Sequence, residues 1–205
     1  SVSASNDNAG GIAGFLNVAS GVGVLNDTLG LDLIKKNSMS FVLSSVAASG
    51  EGFTVSAGNE RAAGGVALAT GGRISDVSVS RASLVSAKNY AGGFLGVSGT
   101  GSVVGSDGLD LLGLGLVKVE GLLSLGSVMQ TTVNTVTVSG VDAGMKVTAT
   151  GDGTSTDAGE KPVTAGGFVA LGSASSVSDA HVTYLGTVQA SNEGGYAGGF
   201  VGEST

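Results

Sequence analysis

The sequence predicts an all-β solenoid, in which similar coils stack on one another and pair through parallel strands. The first observation behind this prediction is a phrase, Ala-Gly-Gly followed by Ile, Val or Phe, that occurs five times. A phrase repeated within one chain indicates one supersecondary unit stacked on copies of itself. Tandem β-sandwich-like repeats are the alternative architecture. The five copies begin at Ala9, Ala63, Ala91, Ala165 and Ala197.

The second observation is a composition that favours a thin core. The 205 residues include 38 glycines and one proline, and 41% are hydrophobic but only 4% aromatic. This apolar share is enough for folding, because disorder requires low hydrophobicity together with high net charge. Since large side chains are rare, small aliphatic residues must fill the core layer on layer, which suits stacked coils.

The third observation is a set of short runs that alternate apolar and polar residues, at 74–80, 131–138 and 146–150. This period of two, with β-branched residues, is typical of half-buried strands. A coil of roughly 25–30 residues would carry three short strands, each hydrogen-bonded to its equivalents above and below. The Gly-Gly pairs would form sharp corners, where a Cβ would clash or force an unfavourable φ.

A larger repeat is superimposed on the short phrase. Residues 63–96 and 165–202 share an ordered series: Ala-Gly-Gly, Ser-Asp, then Tyr directly before the next Ala-Gly-Gly. We interpret the chain as one continuous solenoid domain and as a fragment of a longer protein. The predicted boundaries are 1–8 for the N-terminal edge, 9–90 and 91–196 for two super-repeats, and 197–205 for the start of a further repeat.

Two leucine-rich segments, Val22–Ile34 and Leu109–Leu125, depart from the repeat. They are interpreted as longer strands, as loops on the flank of the solenoid, or as short helices. Strand is favoured for the second, because Gly113, Gly115 and Gly121 disfavour a helix.

Charge and composition exclude several classes of partner. The net charge is −7 without a basic cluster, so nucleic acid and anionic membrane surfaces are poor partners. The most apolar segment, 109–129, is interrupted by Asp110, Lys118 and Glu120, which argues against membrane insertion. Cysteine is absent, so no disulfide is expected, and this absence fits an exported bacterial protein.

The residues of 63–96 resemble the GLUG-motif repeats of bacterial surface proteins. The resemblance is carried by Gly64-Gly65-Val66, by Ile74-Ser75-Asp76-Val77, and by Gly92-Gly93-Phe94-Leu95-Gly96. It extends to 165–202 and is thin over 22–62 and 107–160. It implies a right-handed parallel β-helix in a large exported protein, often an adhesin. Some members of the family are surface proteases with a separate catalytic domain, and the repeat itself brings no catalytic residue.

Catalytic patterns are scarce. The one histidine, His181, lies in an alternating run and is expected to face solvent, and no Gly-x-Ser-x-Gly sequence occurs. The nearest carboxylate candidate is Asp76, with Arg73 and Arg81 close in sequence. A structural aspartate at a turn explains Asp76 equally well, because Asp179 occupies the matching place in the second unit. No enzyme activity is expected.

Neither a cofactor nor a metal site is predicted. The chain has no Gly-x-Gly-x-x-Gly or Gly-Lys-(Ser/Thr) phosphate loop. Residues 152–160 are acidic and rich in turn formers, but they do not fit the EF-hand pattern. Solvated turns are the favoured interpretation there and at 6–8.

Three tyrosines are the candidate ligand contacts: Tyr90, Tyr184 and Tyr196. Tyrosines on a flat sheet can stack on sugars or anchor a protein partner. Tyr90 and Tyr196 precede Gly-Gly corners, so shielding of those corners is the alternative role.

The predicted function is a non-enzymatic structural stalk or adhesin module of a large secreted or surface-anchored bacterial protein. Alternatives are a glycan- or receptor-binding module, or an accessory region of a large surface protease or polysaccharide-degrading enzyme. Expected partners are host or microbial glycans or surface proteins, and unpaired strand edges predict end-to-end self-association. The expected location is extracellular, at the bacterial cell surface.

Overall fold

In a computed structural model, the structure describes residues 1–17, 19–21, 37–39, 41–99, 130–151, 163–173, 175–191 and 195–205. All regular secondary structure in these ranges is β-strand. In chain order the strands are β1 Val2–Ala4, β2 Asn8–Gly10, β3 Ala13–Asn17, β4 Ala19–Gly21, β5 Asn37–Met39, β6 Phe41–Ala57, β7 Arg61–Ala63, β8 Val66–Thr70, β9 Gly72–Ala87, β10 Tyr90–Gly92, β11 Leu95–Gly99, β12 Thr131–Gly140, β13 Met145–Ala149, β14 Thr164–Gly166, β15 Val169–Gly172, β16 Ser175–Thr183, β17 Leu185–Ala190, β18 Tyr196–Gly198 and β19 Val201–Ser204.

The strands form three parallel sheets that run along one stack. Sheet A has the order β1-β6-β9-β12-β16, with β13 paired to β9 and β17 paired to β13. Sheet B has the order β2-β7-β10-β14-β18, and sheet C the order β3-β8-β11-β15-β19. We number five coils: coil 1 (β1–β3), coil 2 (β6–β8), coil 3 (β9–β11), coil 4 (β12–β15) and coil 5 (β16–β19). This arrangement is a parallel β-helix, and it confirms the predicted fold class over the sandwich alternative.

Two further observations complete the topology. Strands β4 and β5 pair with each other in an antiparallel two-stranded sheet, separate from the three parallel sheets. In the described part of the chain, no helix is long and apolar enough to cross a membrane.

The core consists of columns of equivalent residues. In-register parallel pairing places Val2, Val55, Val85, Val147 and Val188 in one inward column of sheet A. The three interior valines of this column are fully buried. Each methylene buried away from water stabilises the fold by about 0.8 kcal/mol. The hydrophobic stabilisation is therefore spread over many small side chains. The predicted thin core of small aliphatic residues is confirmed, since alanine and valine dominate the buried set.

The second repeat begins at Ala62 in the structure, one residue before the Ala63 that the sequence predicts. Ala91 pairs with Ala62, and Gly92 pairs with Ala63. Ala63 therefore matches the first glycine of the phrase, and Gly65 matches Phe94. The alanine column of sheet B consists of Ala9, Ala62, Ala91, Ala165 and Ala197.

The expectation of three short strands in each coil is also wrong, because the sheet A strand is long and bent. β6 has 17 residues and β9 has 16. In β9 the chain bends at Asp76 (φ 54°) and at Arg81 (φ 62°). The inward residues Ile74 and Val77 are therefore three positions apart instead of two. The left-handed residue lets one strand turn a corner without leaving the sheet.

A column of glycines forms the corner between sheets B and C: Gly11, Gly64, Gly93, Gly167 and Gly199. A Cβ on Gly93 would lie 1.8 Å from the Gly167 carbonyl oxygen, and a Cβ on Gly167 would lie 2.0 Å from that of Gly199. None of the five has a positive φ. Glycine is therefore required here by the close approach of successive coils, and not by an unusual backbone conformation.

Phenylalanine rings stack beside this corner. The ring centroids of Phe94 and Phe168 are 5.2 Å apart, and those of Phe168 and Phe200 are 4.8 Å apart. In coil 2 the equivalent position is Gly65, where a Cβ would lie 2.4 Å from the Phe94 ring. The Phe94 ring thus occupies the space above Gly65.

The leucine-rich segments Val22–Ile34 and Leu109–Leu125 lie outside the described residues, so the strand favoured for the second and the three alternatives for the first stay predictions. In sequence they follow coil 1 and coil 3, between the sheet C strand and the next sheet A strand. Coil 2 connects to coil 3 through Gly71 alone. The predicted super-repeat boundaries remain predictions.

Candidate functional site

The structure places the three candidate tyrosines in two different settings. Tyr90 and Tyr196 belong to one column of sheet B, separated by Thr164 of coil 4. Tyr90 is only 4% exposed, whereas Tyr196 is 47% exposed because no described coil follows coil 5. Tyr184 is 61% exposed and forms the bend between β16 and β17 with a φ of 53°. Tyr184 and Tyr196 therefore present a ring to solvent, and Tyr90 does not.

Tyr90 lies in a polar cluster with Asn8, Glu60 and Arg61. The Arg61 guanidinium carbon is 5.9 Å from the centre of the Tyr90 ring, within cation–π range. Arg61 Nη1 donates a hydrogen bond to Asn8 Oδ1 at 3.2 Å, and Nη2 forms an ion pair with Glu60. Neither partner of that ion pair is freely solvated, with side chains 18% and 16% exposed. The cluster holds the Arg61 guanidinium over the ring and so covers Tyr90.

Sequence reasoning missed Arg61 and Glu60 for a definite reason. Arg61 pairs with Tyr90 in the ladder. The one-residue error at Ala63 placed Ala62 opposite Tyr90 instead. With the register of the structure, the sequence places the Arg61 cation opposite the Tyr90 ring of the neighbouring coil.

The electrostatics of this cluster keep the phenol neutral. Burial raises the pKa of Tyr90 above its ordinary value, and Arg61 opposes this by lowering it. The carboxylates of Glu203 and Glu60 raise the pKa further. Because the folded state binds the proton more tightly than the unfolded state, this contribution to stability is complete below the unfolded pKa of about 10 and is lost as pH rises through the folded pKa.

We therefore expect Tyr90→Phe to flatten the fall in stability above about pH 10. Chemical denaturation of both proteins between about pH 8 and 11 measures this difference. Tyr196→Phe is the matched control, since Tyr196 lies in the same column but is 47% exposed. An unchanged pH dependence in Tyr90→Phe would contradict the inferred role of the buried phenol.

The acid–base candidates occupy structural or solvated positions. Asp76 and Asp179 are equivalent in the ladder, as predicted, and each has a positive φ (54° and 48°). Ser45 and Thr135 fill the same place in coils 2 and 4. Aspartate tolerates this left-handed conformation better than most residues, which supports the structural interpretation.

The remaining charged candidates are exposed. His181 Nε2 lies 3.3 Å from Asp179 Oδ1, and these side chains are 67% and 57% exposed. Arg81 contacts Glu51 at 3.7 Å across the surface. His181 is equivalent to Ser78 through Thr137 and faces solvent, as predicted. Exposed pairs of this kind contribute little to stability, and solvent screens their charges.

Two turns, at 152–160 and at 6–8, were considered as cation sites in the sequence, and the structure describes only the second. Residues 152–160 lie outside the described residues, so their interpretation as a solvated loop stays a prediction. At the 6–8 turn, the Asn6 and Asp7 carbonyl oxygens accept hydrogen bonds from the Asn59 and Arg61 amides. Within the described ranges, no cluster of three or more His, Cys, Asp or Glu side chains could hold a metal ion.

Comparison with known proteins adds no relative. No family model, no curated protein and no solved structure matches this chain. The resemblance to GLUG-motif repeats therefore remains a prediction from the residues quoted for it.

Proposed function

We propose that this chain is a non-enzymatic structural module, a β-helical stalk or adhesin segment of a large secreted or surface-anchored bacterial protein. The observation that carries the proposal is the continuous parallel ladder of sheets B and C through all five coils. In sheets B and C each coil contacts its neighbours through the same columns, so each added coil lengthens the stack.

The outward face of sheet A supports this role. Its outward columns carry small polar side chains, such as Ser78 and Thr137 in one column and Ser49 and Ser80 in the next. Such a face is well hydrated and offers little apolar area to a ligand. The polar cluster around Tyr90 covers its tyrosine instead of exposing it to a ligand.

A glycan- or receptor-binding module is the second candidate. The observation that favours it is the exposure of Tyr184 and Tyr196, both in coil 5, at 61% and 47%. Exposed aromatic rings can stack on sugar rings or anchor a protein partner.

A binding screen separates the two functions. Purified chain is applied to arrays of mucin, plant and bacterial saccharides and of host surface proteins. A stalk is expected to show no saturable binding. A saturable ligand lost in Tyr184→Ala or Tyr196→Ala, but retained in Val42→Ala, would overturn the stalk in favour of an adhesin or receptor-binding module. Val42 is a suitable control because it is also exposed (66%) but lies on sheet A of coil 2.

A further inference from the structure

The outer face of sheet C carries an apolar column. Ala69 of β8 is fully buried in the core cluster. Successive side chains of a strand point to opposite faces, so Leu68, the residue before it, points away from the core. In-register pairing continues this outward column through Val97 of β11 and Leu171 of β15, and through Phe15 of β3 in coil 1. We call these four outward residues the sheet C stripe.

The stripe is apolar in coils that have a neighbouring coil on both sides. Leu68, Val97 and Leu171 lie in coils 2, 3 and 4, and each is partly buried. Among the described residues, none of the three belongs to the core cluster or packs against it. Outward columns of sheet A carry small polar side chains instead, such as Ser78 and Thr137. An apolar column on an outer face marks a surface on which another element packs.

The chain between β11 and β12 leaves and returns beside this stripe. β11 ends at Gly99, two residues after Val97, and β12 begins at Thr131. Thr131 Oγ1 donates a hydrogen bond to the Gly99 carbonyl at 2.6 Å, so the two ends of residues 100–130 are held together. Coil 2 makes the same crossing with Gly71 alone, whose amide donates to the Gly99 carbonyl and to Thr131 Oγ1. Residues 100–130 are therefore not needed to connect one coil to the next.

Residues 109–125 have a composition that favours burial. Eight of them are leucine, and only Asp110, Lys118 and Glu120 are charged. Leucine side chains gain free energy by leaving water, so a segment this rich in leucine needs an apolar surface to pack on. Residues 100–108 extend to about 30 Å, which exceeds the ~14 Å that the stripe spans at about 4.8 Å per coil. The segment can therefore reach every residue of the stripe.

We propose that residues 109–125 pack on the sheet C stripe and cover Leu68, Val97 and Leu171. A segment of the same chain is the occupant that the geometry favours, because the bond from Thr131 to Gly99 holds both of its ends next to the stripe. Attachment at both ends gives the segment a high effective concentration at this face, which a separate molecule lacks. The packing shields two apolar surfaces from water at once, the leucines of the segment and the stripe.

Disulfide cross-linking tests which segment covers the stripe. The chain has no cysteine, so a pair of cysteines can be introduced without competing thiols. Val97→Cys is combined in turn with Leu112→Cys and with Leu116→Cys from the segment. In the matched control, Ser78→Cys on the outer face of sheet A takes the place of Val97→Cys. Mild oxidation followed by mass spectrometry of the monomer measures the intramolecular disulfide.

We expect at least one of the two pairs that contain Val97→Cys to cross-link within one molecule, in at least tenfold higher yield than the corresponding Ser78→Cys pair. No intramolecular disulfide with Val97→Cys, or equal yields from both faces, would overturn the proposal. A higher yield of Val97→Cys with Leu31→Cys would also overturn it, by assigning the stripe to the other leucine-rich segment. Disulfides formed mainly between molecules would assign the stripe to a second copy instead.

Hydrogen exchange measures the covering without added thiols. A carboxylate in the stripe would have to be buried under the leucines, so Val97→Asp should release the segment. We expect the amides of residues 109–125 to exchange at least tenfold faster in Val97→Asp than in the wild type, and at the wild-type rate in the control Ser78→Asp. Identical exchange in all three proteins would contradict the packing. Circular dichroism establishes that each variant is folded, and Leu68→Ser replaces Val97→Asp if that variant is not.

This proposal goes beyond the proposed function and fails separately from it, because neither measurement uses a ligand. A saturable ligand in the binding screen would change the function and leave the covering of the stripe as it is.

Discussion

Gly93→Ala is expected to destabilise the fold by at least about 3 kcal/mol. The added Cβ would lie 1.8 Å from the Gly167 carbonyl oxygen and 2.9 Å from the Met145 side chain. The oxygen belongs to the backbone of the next coil, so a rotamer change cannot relieve the contact. The two coils would have to separate, and separation breaks the hydrogen bond from Gly93 N to the Gly166 carbonyl. Urea denaturation followed by circular dichroism measures the loss.

Gly199→Ala is the matched control for this change. It occupies the same column in coil 5, and nothing lies within 4 Å of its added Cβ. Its stability as a monomer should stay within about 1 kcal/mol of the wild type. Equal destabilisation by both substitutions would show that the corner requires glycine for some reason other than the close approach of the next coil.

Phe168→Ala is the second change with a large expected effect, a loss of about 3–5 kcal/mol. The ring is fully buried and stacks on Phe94 on one side and on Phe200 on the other. Removing it leaves a cavity between two rings and deletes two aromatic contacts, each worth about 0.5–1.5 kcal/mol beyond burial. A loss of this size is a large fraction of the usual stability of a domain, about 5–15 kcal/mol.

Phe200→Ala serves as the comparison within the same column. Phe200 is 38% exposed and stacks on one ring only. It should cost less than half as much as Phe168→Ala when both are measured by denaturant unfolding. Similar losses at the two positions would indicate that burial between coils is not what stabilises the aromatic stack.

Much of the fold was predictable because stacked coils leave a periodic signature. The recurring Ala-Gly-Gly phrase predicted stacked coils, and the alternating runs at 74–80 and 131–138 predicted strands. The structure shows in addition that these two runs pair with each other in register. The equivalence of Asp76 with Asp179, and of Tyr90 with Tyr196, also followed from the order of landmarks. Each is a local pattern repeated at long range, which a single sequence can reveal.

The register at Ala63 was not predictable in the same way. Ala62 and Ala63 are both alanines followed by glycine-rich sequence, so either could begin the repeat. The correct register depends on the neighbouring coil. There the Phe94 ring occupies the space that a side chain at position 65 would need, so Gly65 stands at the position equivalent to Phe94. The pairing of Arg61 with Tyr90 depends on this register, so the sequence did not predict it.

The sequence by itself determined the fold class, the small aliphatic core and the corners at which glycine is required, because these depend on residue size and on repetition along the chain. Only the tertiary structure decided the register of coil 2, the two bends in each long strand and the burial of Tyr90, because these depend on which atoms of the adjacent coil occupy the available space. The exposure of Tyr184 and Tyr196 follows from the same cause, since coil 5 has a neighbouring coil on one side only among the described residues.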